Sequence, residues 1–136
     1  MIHNVVASIA QGLDEYIKNK LSISEDTVIV SSLVDIKGNV NQDIENKITV
    51  FLLNIEEEKL TKNSHSQKAA GKNPPVTINV FLMFSAYFPN FNYVESLRYL
   101  SLVIEYFQRT PMISTLNSPI LSSVVDKLYV EMSNIG

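Results

Sequence analysis

Residues 73–111 read NPPVTINVFLMFSAYFPNFNYVESLRYLSLVIEYFQRTP. After two prolines, every even position from Val76 through Ile78, Val80, Leu82 and Phe84 to Ala86 is apolar, whereas the odd positions begin polar at Thr77 and Asn79 and turn apolar at Phe81 and Met83. A period of two marks a strand with one face on a core, and its loss toward the end predicts cover on both faces there. A short aromatic turn follows. Asn92 and Glu95, three apart, have the spacing of a capping box and predict a helix start. Val94, Leu97, Leu100, Val103, Ile104 and Phe107 then share one apolar face, and Pro111, which cannot continue the hydrogen-bond ladder, sets the stop. No catalytic motif interrupts this strand, turn and helix, so the stretch reads as scaffold.

Upstream, Ile2, Val5, Val6, Ile9, Leu13, Tyr16 and Ile17 recur at three- and four-residue intervals, which predicts an amphipathic helix over 2–20. Residues 27–36, TVIVSSLVDI, are rich in β-branched side chains and end at Lys37-Gly38-Asn39, so a strand followed by a turn is expected. Residues 47–55, KITVFLLNI, are apolar on both faces in the middle, as in a central strand covered on both sides, and Glu56, Glu57 and Glu58 are expected to stop it. Residues 59–73 carry Lys59, Lys62, Lys68 and Lys72 among small polar residues and read as a flexible loop. Downstream of Pro119, residues 124–132 alternate, with Lys127, Tyr129 and Glu131 on one side and Leu128, Val130 and Met132 on the other. The order is helix, three strands, helix, strand. This predicts one α+β domain over 1–136, with two helices on a mainly antiparallel sheet of four strands or more.

With 136 residues the chain has room for one core that buries roughly two-thirds of the unfolded surface. Charged residues make up only 18%, against about a quarter in an average soluble domain, so some apolar surface is expected to lie against another subunit. A net charge of -3 lacks the basic stripe that phosphate binding needs, which argues against a nucleic-acid partner. There is no cysteine, hence no disulfide, thiolate ligand or cysteine nucleophile. The opening MIHNVVASIAQGL has no basic n-region and soon meets Asp14 and Glu15, which is wrong for a secretory signal. No apolar run reaches the roughly 20 residues of a membrane span.

Chemistry is sparse. The two histidines, His3 and His65, are far apart and outside any HExxH spacing, so surface positions are expected rather than a metal site. Glu56 to Glu58 could act as paired carboxylates, but beside the loop lysines they read better as a charge patch for a partner. No serine lies in a GxSxG elbow, and no GxGxxG or GxxxxGK[ST] cradle exists. No catalytic residue, cofactor or metal is therefore expected. Phe84, Tyr87, Phe88, Phe91 and Tyr93 could line a small-molecule or enzymatic pocket, although at a strand–helix junction such a cluster more often packs a core.

Three separated blocks carry a resemblance: VFLLNIEEEKL at 50–60, PPVTINVFLMFSA at 74–86 and YVESLRYLSLVIEYFQRTP at 93–111. In order and content they resemble the N-terminal domain family of the cap, or tail-terminator, protein of phage-tail-like contractile injection systems, of the antifeeding-prophage and Photorhabdus virulence cassette type. The opening MIHNVV and the final VDKLYVEMSN fit as well, so the likeness spans essentially the whole chain. It implies a structural, non-enzymatic protein that forms a hexameric ring on the tube and sheath at the end distal to the baseplate. Assembly in the cytoplasm, and release only with the whole particle, are implied too. Members usually continue past the last strand, so a C-terminal truncation at Gly136 is expected. Under this reading the candidate contact residues are Glu56, Glu57, Glu58, Lys59, Lys62, Lys68 and Lys72.

Overall fold

A computed structural model describes residues 2–57, 78–90, 92–114 and 127–131 of the chain. Helix α1 runs over Ile2–Leu21 and turns Val5, Val6, Ile9, Ala10, Leu13 and Ile17 inward, as its periodicity predicts. Its end is a Schellman turn: Ser22 adopts the left-handed conformation at φ 56°, and Ile23 N–H donates to Lys18 C=O at 3.1 Å. Lys18 and Lys20 in the last turn face the negative end of the helix dipole.

Asp14 ties this helix to the next element. One of its carboxylate oxygens accepts from the Thr27 amide (2.7 Å), the Thr27 hydroxyl (2.7 Å) and the Val28 amide (3.2 Å), while the other meets Lys18 Nζ at 2.9 Å. Burial alone would raise the Asp14 pKa, but the Thr27 and Lys18 contacts together hold it below its ordinary value.

Strand β1, Val28–Val30, starts where that clamp ends and is much shorter than the strand expected over 27–36. The two serines explain the stop. Ser31 N–H still donates to Val50 C=O at 3.2 Å, but Ser31 Oγ donates to Ser32 C=O and Ser32 Oγ to Val34 C=O, so beyond that bond the side chains engage the local backbone. The chain then makes a small hairpin in which Val34 and Val40 bridge and Asp35 accepts from the Lys37 and Asn39 amides. Gly38, at φ 84°, supplies the left-handed position. A 3-10 turn over Gln42–Ile44, capped by Asn41, buries Ile44.

Strand β2, Lys47–Glu57, and strand β3, Ile78–Tyr87, complete a sheet of order β1-β2-β3. Here the expected antiparallel pairing fails at one seam: β1 and β2 are parallel, with Val28 opposite Ile48 and Val30 opposite Val50. The intervening segment is long enough to carry the chain back to the same end, as a parallel connection requires. Asn46 N–H donates to Tyr87 C=O at 2.8 Å, and Glu45 and Tyr87 form an isolated bridge, so the start of β2 lies beside the end of β3.

Helix α2, Tyr93–Arg109, begins at Asn92, but not through a capping box. The Asn92 side chain makes no cap bond, and Glu95 reaches forward to Arg98 at 3.3 Å instead of back. Ser96 takes over the helix start, its amide donating to Asn92 C=O and its hydroxyl to Tyr93 C=O. The buried face keeps Val103 and Phe107 of the one expected but is rotated to include Ser96 and Tyr99, whereas Val94, Leu97 and Ile104 are exposed. Two aromatic pairs fix this orientation, Phe88 with Tyr99 (centroids 4.7 Å apart) and Phe84 with Phe107 (5.2 Å).

After Pro111 the chain forms β4, Met112–Ser114, which pairs antiparallel with β5, Lys127–Tyr129. The expected fourth strand therefore does not join the main sheet among the described residues. It makes a two-stranded sheet with a segment too short for any periodicity to reveal. The α+β class holds, with three strands and two strands in place of a single four-stranded sheet.

Two units compose the chain: Met1–Phe51 with Phe84–Gly136, and Leu52–Met83. In the first, α1 crosses α2 at Gly12, where a β-carbon would overlap the Tyr106 hydroxyl. Tyr106 cannot easily yield, because its ring packs on Tyr16 (5.4 Å) and Phe107 (5.1 Å). Tyr16 donates to Glu105, which also meets Lys20 and Arg109 at 3.4 Å each. The Tyr16 hydrogen bond is the chief reason that Glu105 titrates below its ordinary range. Burial, seconded by that bond, pushes Tyr16 upward.

Candidate protein-docking surface

The second unit holds residues 52–57 of β2 and 78–83 of β3. Alternation along β2 places Leu52, Asn54 and Glu56 on one face and Leu53, Ile55 and Glu57 on the other. All six are exposed. Leu52 is 45% exposed, Leu53 51% and Ile55 39%, and on β3 Ile78 is 37% exposed. The β2 side of this ribbon is thus open on both faces, whereas Val80, Phe81, Leu82 and Met83 on β3 are half-buried. The expectation that 47–55 is covered on both sides thus holds only for Ile48, Thr49 and Val50, which are fully buried.

Glu56 and Glu57 lie within β2, not after it as expected, because the strand continues to Glu57. Both are exposed, and Glu56 accepts from Asn54 Nδ2 at 3.3 Å. Their side chains leave the strand on opposite faces, so they form an acidic end to the ribbon and not a facing pair of carboxylates. Glu58, Lys59, Lys62, Lys68 and Lys72 lie outside the described residues, as does the loop expected over 59–73.

The first unit carries two further apolar patches. At the 35–39 hairpin Ile36 stands fully exposed, with Val34 and Val40, both about half exposed, at its base. On α2, Tyr93, Val94, Leu97 and Ile104 form an exposed stripe at helical spacing, next to the buried face. The apolar pattern groups Val94, Leu97 and Ile104 on one face with Val103 and Phe107, of which only the latter two are buried. The helix has apolar residues on two adjacent faces, and pattern alone cannot say which is covered. For the ribbon a signal did exist, since three consecutive glutamates directly after a doubly apolar run mark a strand whose end meets water.

The aromatic cluster offers little to a ligand. Phe84 and Phe88 are engaged by rings of α2, Tyr93 is 70% exposed, and Phe91 lies outside the described residues. Among the described residues no three acidic or histidine side chains gather in a way that could hold a metal ion, and no helix is long and apolar enough to cross a membrane.

Fold and surface together define an α+β domain that divides its apolar residues between a small core and several exposed patches. A family model described as the Pvc16 N-terminal domain matches residues 4–134. The chain belongs to that family, which is associated with contractile injection systems of the Photorhabdus virulence cassette type. No curated protein matched the chain.

Proposed function

We propose that this chain is the structural cap, or terminator, of a contractile injection system. Copies associate as a hexameric ring at the end distal to the baseplate, where the ring stops growth of the inner tube and joins it to the sheath. The family match over residues 4–134 carries this reading. The exposed Leu52, Leu53 and Ile55, the Val94, Leu97 and Ile104 stripe and the Ile36 tip support it, because a ring subunit must cover one flank with a different flank of its neighbour. The role is one of docking without turnover, and needs neither cofactor nor nucleic acid. Glu56, Glu57 and Glu58, with Lys59, Lys62, Lys68 and Lys72, give the contacts their charge complementarity. Assembly takes place in the cytoplasm, and the protein leaves the cell only as part of a particle.

Native mass spectrometry over a concentration series, with negative-stain imaging, tests the ring. Hexamers, alone or on added tube and sheath proteins, are expected; a chain that stays monomeric in the presence of both would sink the proposal. Reversing Lys62, Lys68 and Lys72 to glutamate is expected to weaken attachment to the particle while leaving the unfolding curve unchanged.

A further inference from the structure

The backbone of β2 is paired unequally along its length. Ile48 N–H donates to Thr27 C=O at 2.8 Å, and Val50 C=O accepts from Ser31 N–H at 3.2 Å. The even-numbered backbone groups of β2 therefore face β1. β1 ends at Val30, opposite Val50. By the alternation of a strand, the amides and carbonyls of Leu52, Asn54 and Glu56 point to that same side, and β3 is the only strand paired with β2 beyond Val50 among the described residues. An open edge with exposed apolar side chains above and below is a template for one more strand.

Charge selects what can fill it. Two copies of this edge side by side would place Glu56 and Glu57 against their counterparts if parallel, which is unfavourable, and opposite uncharged residues if antiparallel, which leaves both without a countercharge. We propose that the 52–57 edge of β2 binds an extended segment of a different protein by β-augmentation, the segment presenting apolar side chains along Leu52 to Ile55 and lysine or arginine at Glu56 and Glu57. This rests on the reading of the chain as an assembly component, but not on its forming a ring.

The probe is an eight-residue peptide alternating threonine and valine with two lysines at one end, made in both directions, with glutamates replacing the lysines as control. It is titrated against the full chain, and amide exchange is followed residue by residue by NMR. Binding of a lysine peptide should slow exchange at least about tenfold at Leu52, Asn54 and Glu56 and leave Leu53 and Ile55 unchanged. Replacing Glu56 and Glu57 with lysine should weaken the lysine peptide by about two- to tenfold and favour the glutamate peptide instead. Asn54→Pro removes an amide that has no ladder partner among the described residues, together with the side chain that accepts from Ile55 N–H at 2.8 Å, so it should abolish binding while the fold persists by circular dichroism, and Asn54→Ala, which loses the side chain alone, should still bind. No binding, or protection without the alternation, overturns the proposal. Protection that grows with protein concentration alone assigns the edge to a second copy and overturns it too. Because the peptide assay needs no ring, its failure is separate from a failure to form hexamers.

Discussion

The two halves of β2 have similar composition and opposite fates. Ile48, Thr49 and Val50 are fully buried, while Leu52, Leu53 and Ile55, two to five residues further on, are 39–51% exposed. Side-chain hydrophobicity does not separate them. Beside the inner half lies β1, itself tied to α1 through Asp14; beside the outer half, on that edge, no described strand lies. Apolar patterning therefore records that a strand is to be covered, but not whether its own chain does the covering.

The largest effect should come from truncating each half in turn. Ile48→Ala removes a fully buried side chain and is expected to cost about 2–5 kcal/mol, whereas Leu53→Ala should cost about 1 kcal/mol or less. Urea denaturation of both variants measures the difference, and equal losses would mean that the outer half is covered in solution.

A smaller effect tests the helix pair in the same unit as the inner half. Gly12→Ala gains about 1 kcal/mol in helix propensity, but the overlap with the Tyr106 hydroxyl is expected to outweigh it and leave a net loss of about 1–2 kcal/mol. Combining it with Tyr106→Phe should restore most of that loss; a Gly12→Ala chain more stable than the parent would show that α2 yields freely.

The clamp that seats β1 beside the inner half comes next. Asp14→Asn weakens charge-assisted bonds from Thr27, Val28 and Lys18, at an expected cost of about 1–2 kcal/mol and with faster amide exchange in β1. Because the folded-state pKa of Asp14 lies below its model-compound value of 3.8, the carboxylate stabilises the fold fully above that pH. Its contribution is lost as pH falls through the lowered folded value. The stability gap between parent and Asp14→Asn should thus be flat from pH 5 to 7 and close only in strong acid. A gap that closed near neutrality would exclude Asp14 as its source.

The smallest effect is a gain. Ser22 holds the left-handed position at the end of α1, and Ser22→Gly should stabilise by about 0.5 kcal/mol, visible as a slight rise in Tm.

Much of this architecture was legible locally. The 3.6-residue periodicity of α1 and α2, the alternation of 78–86 and the arrest at Pro111 each depend on neighbouring residues, and each element lies where its pattern places it. Pairing was not legible, since Val28 and Ile48 bear no mark of being parallel partners. Nor was the rotation of α2, which depends on where Phe84 and Phe88 come to rest after folding. At the candidate surface, Glu56 and Glu57 announced themselves by charge. Leu52, Leu53 and Ile55 did not, because an apolar residue awaiting another chain looks the same as one meant for the core.

The hydrogen bond from Tyr16 to Glu105 has an optical consequence. The chain has six tyrosines and no tryptophan, so its near-ultraviolet emission comes from tyrosine alone. A phenol bonded to a carboxylate emits weakly, and Tyr16 is held in that state only while α1 and α2 are docked. Parting the helices should brighten the protein, giving it an unlabelled signal of its own packing.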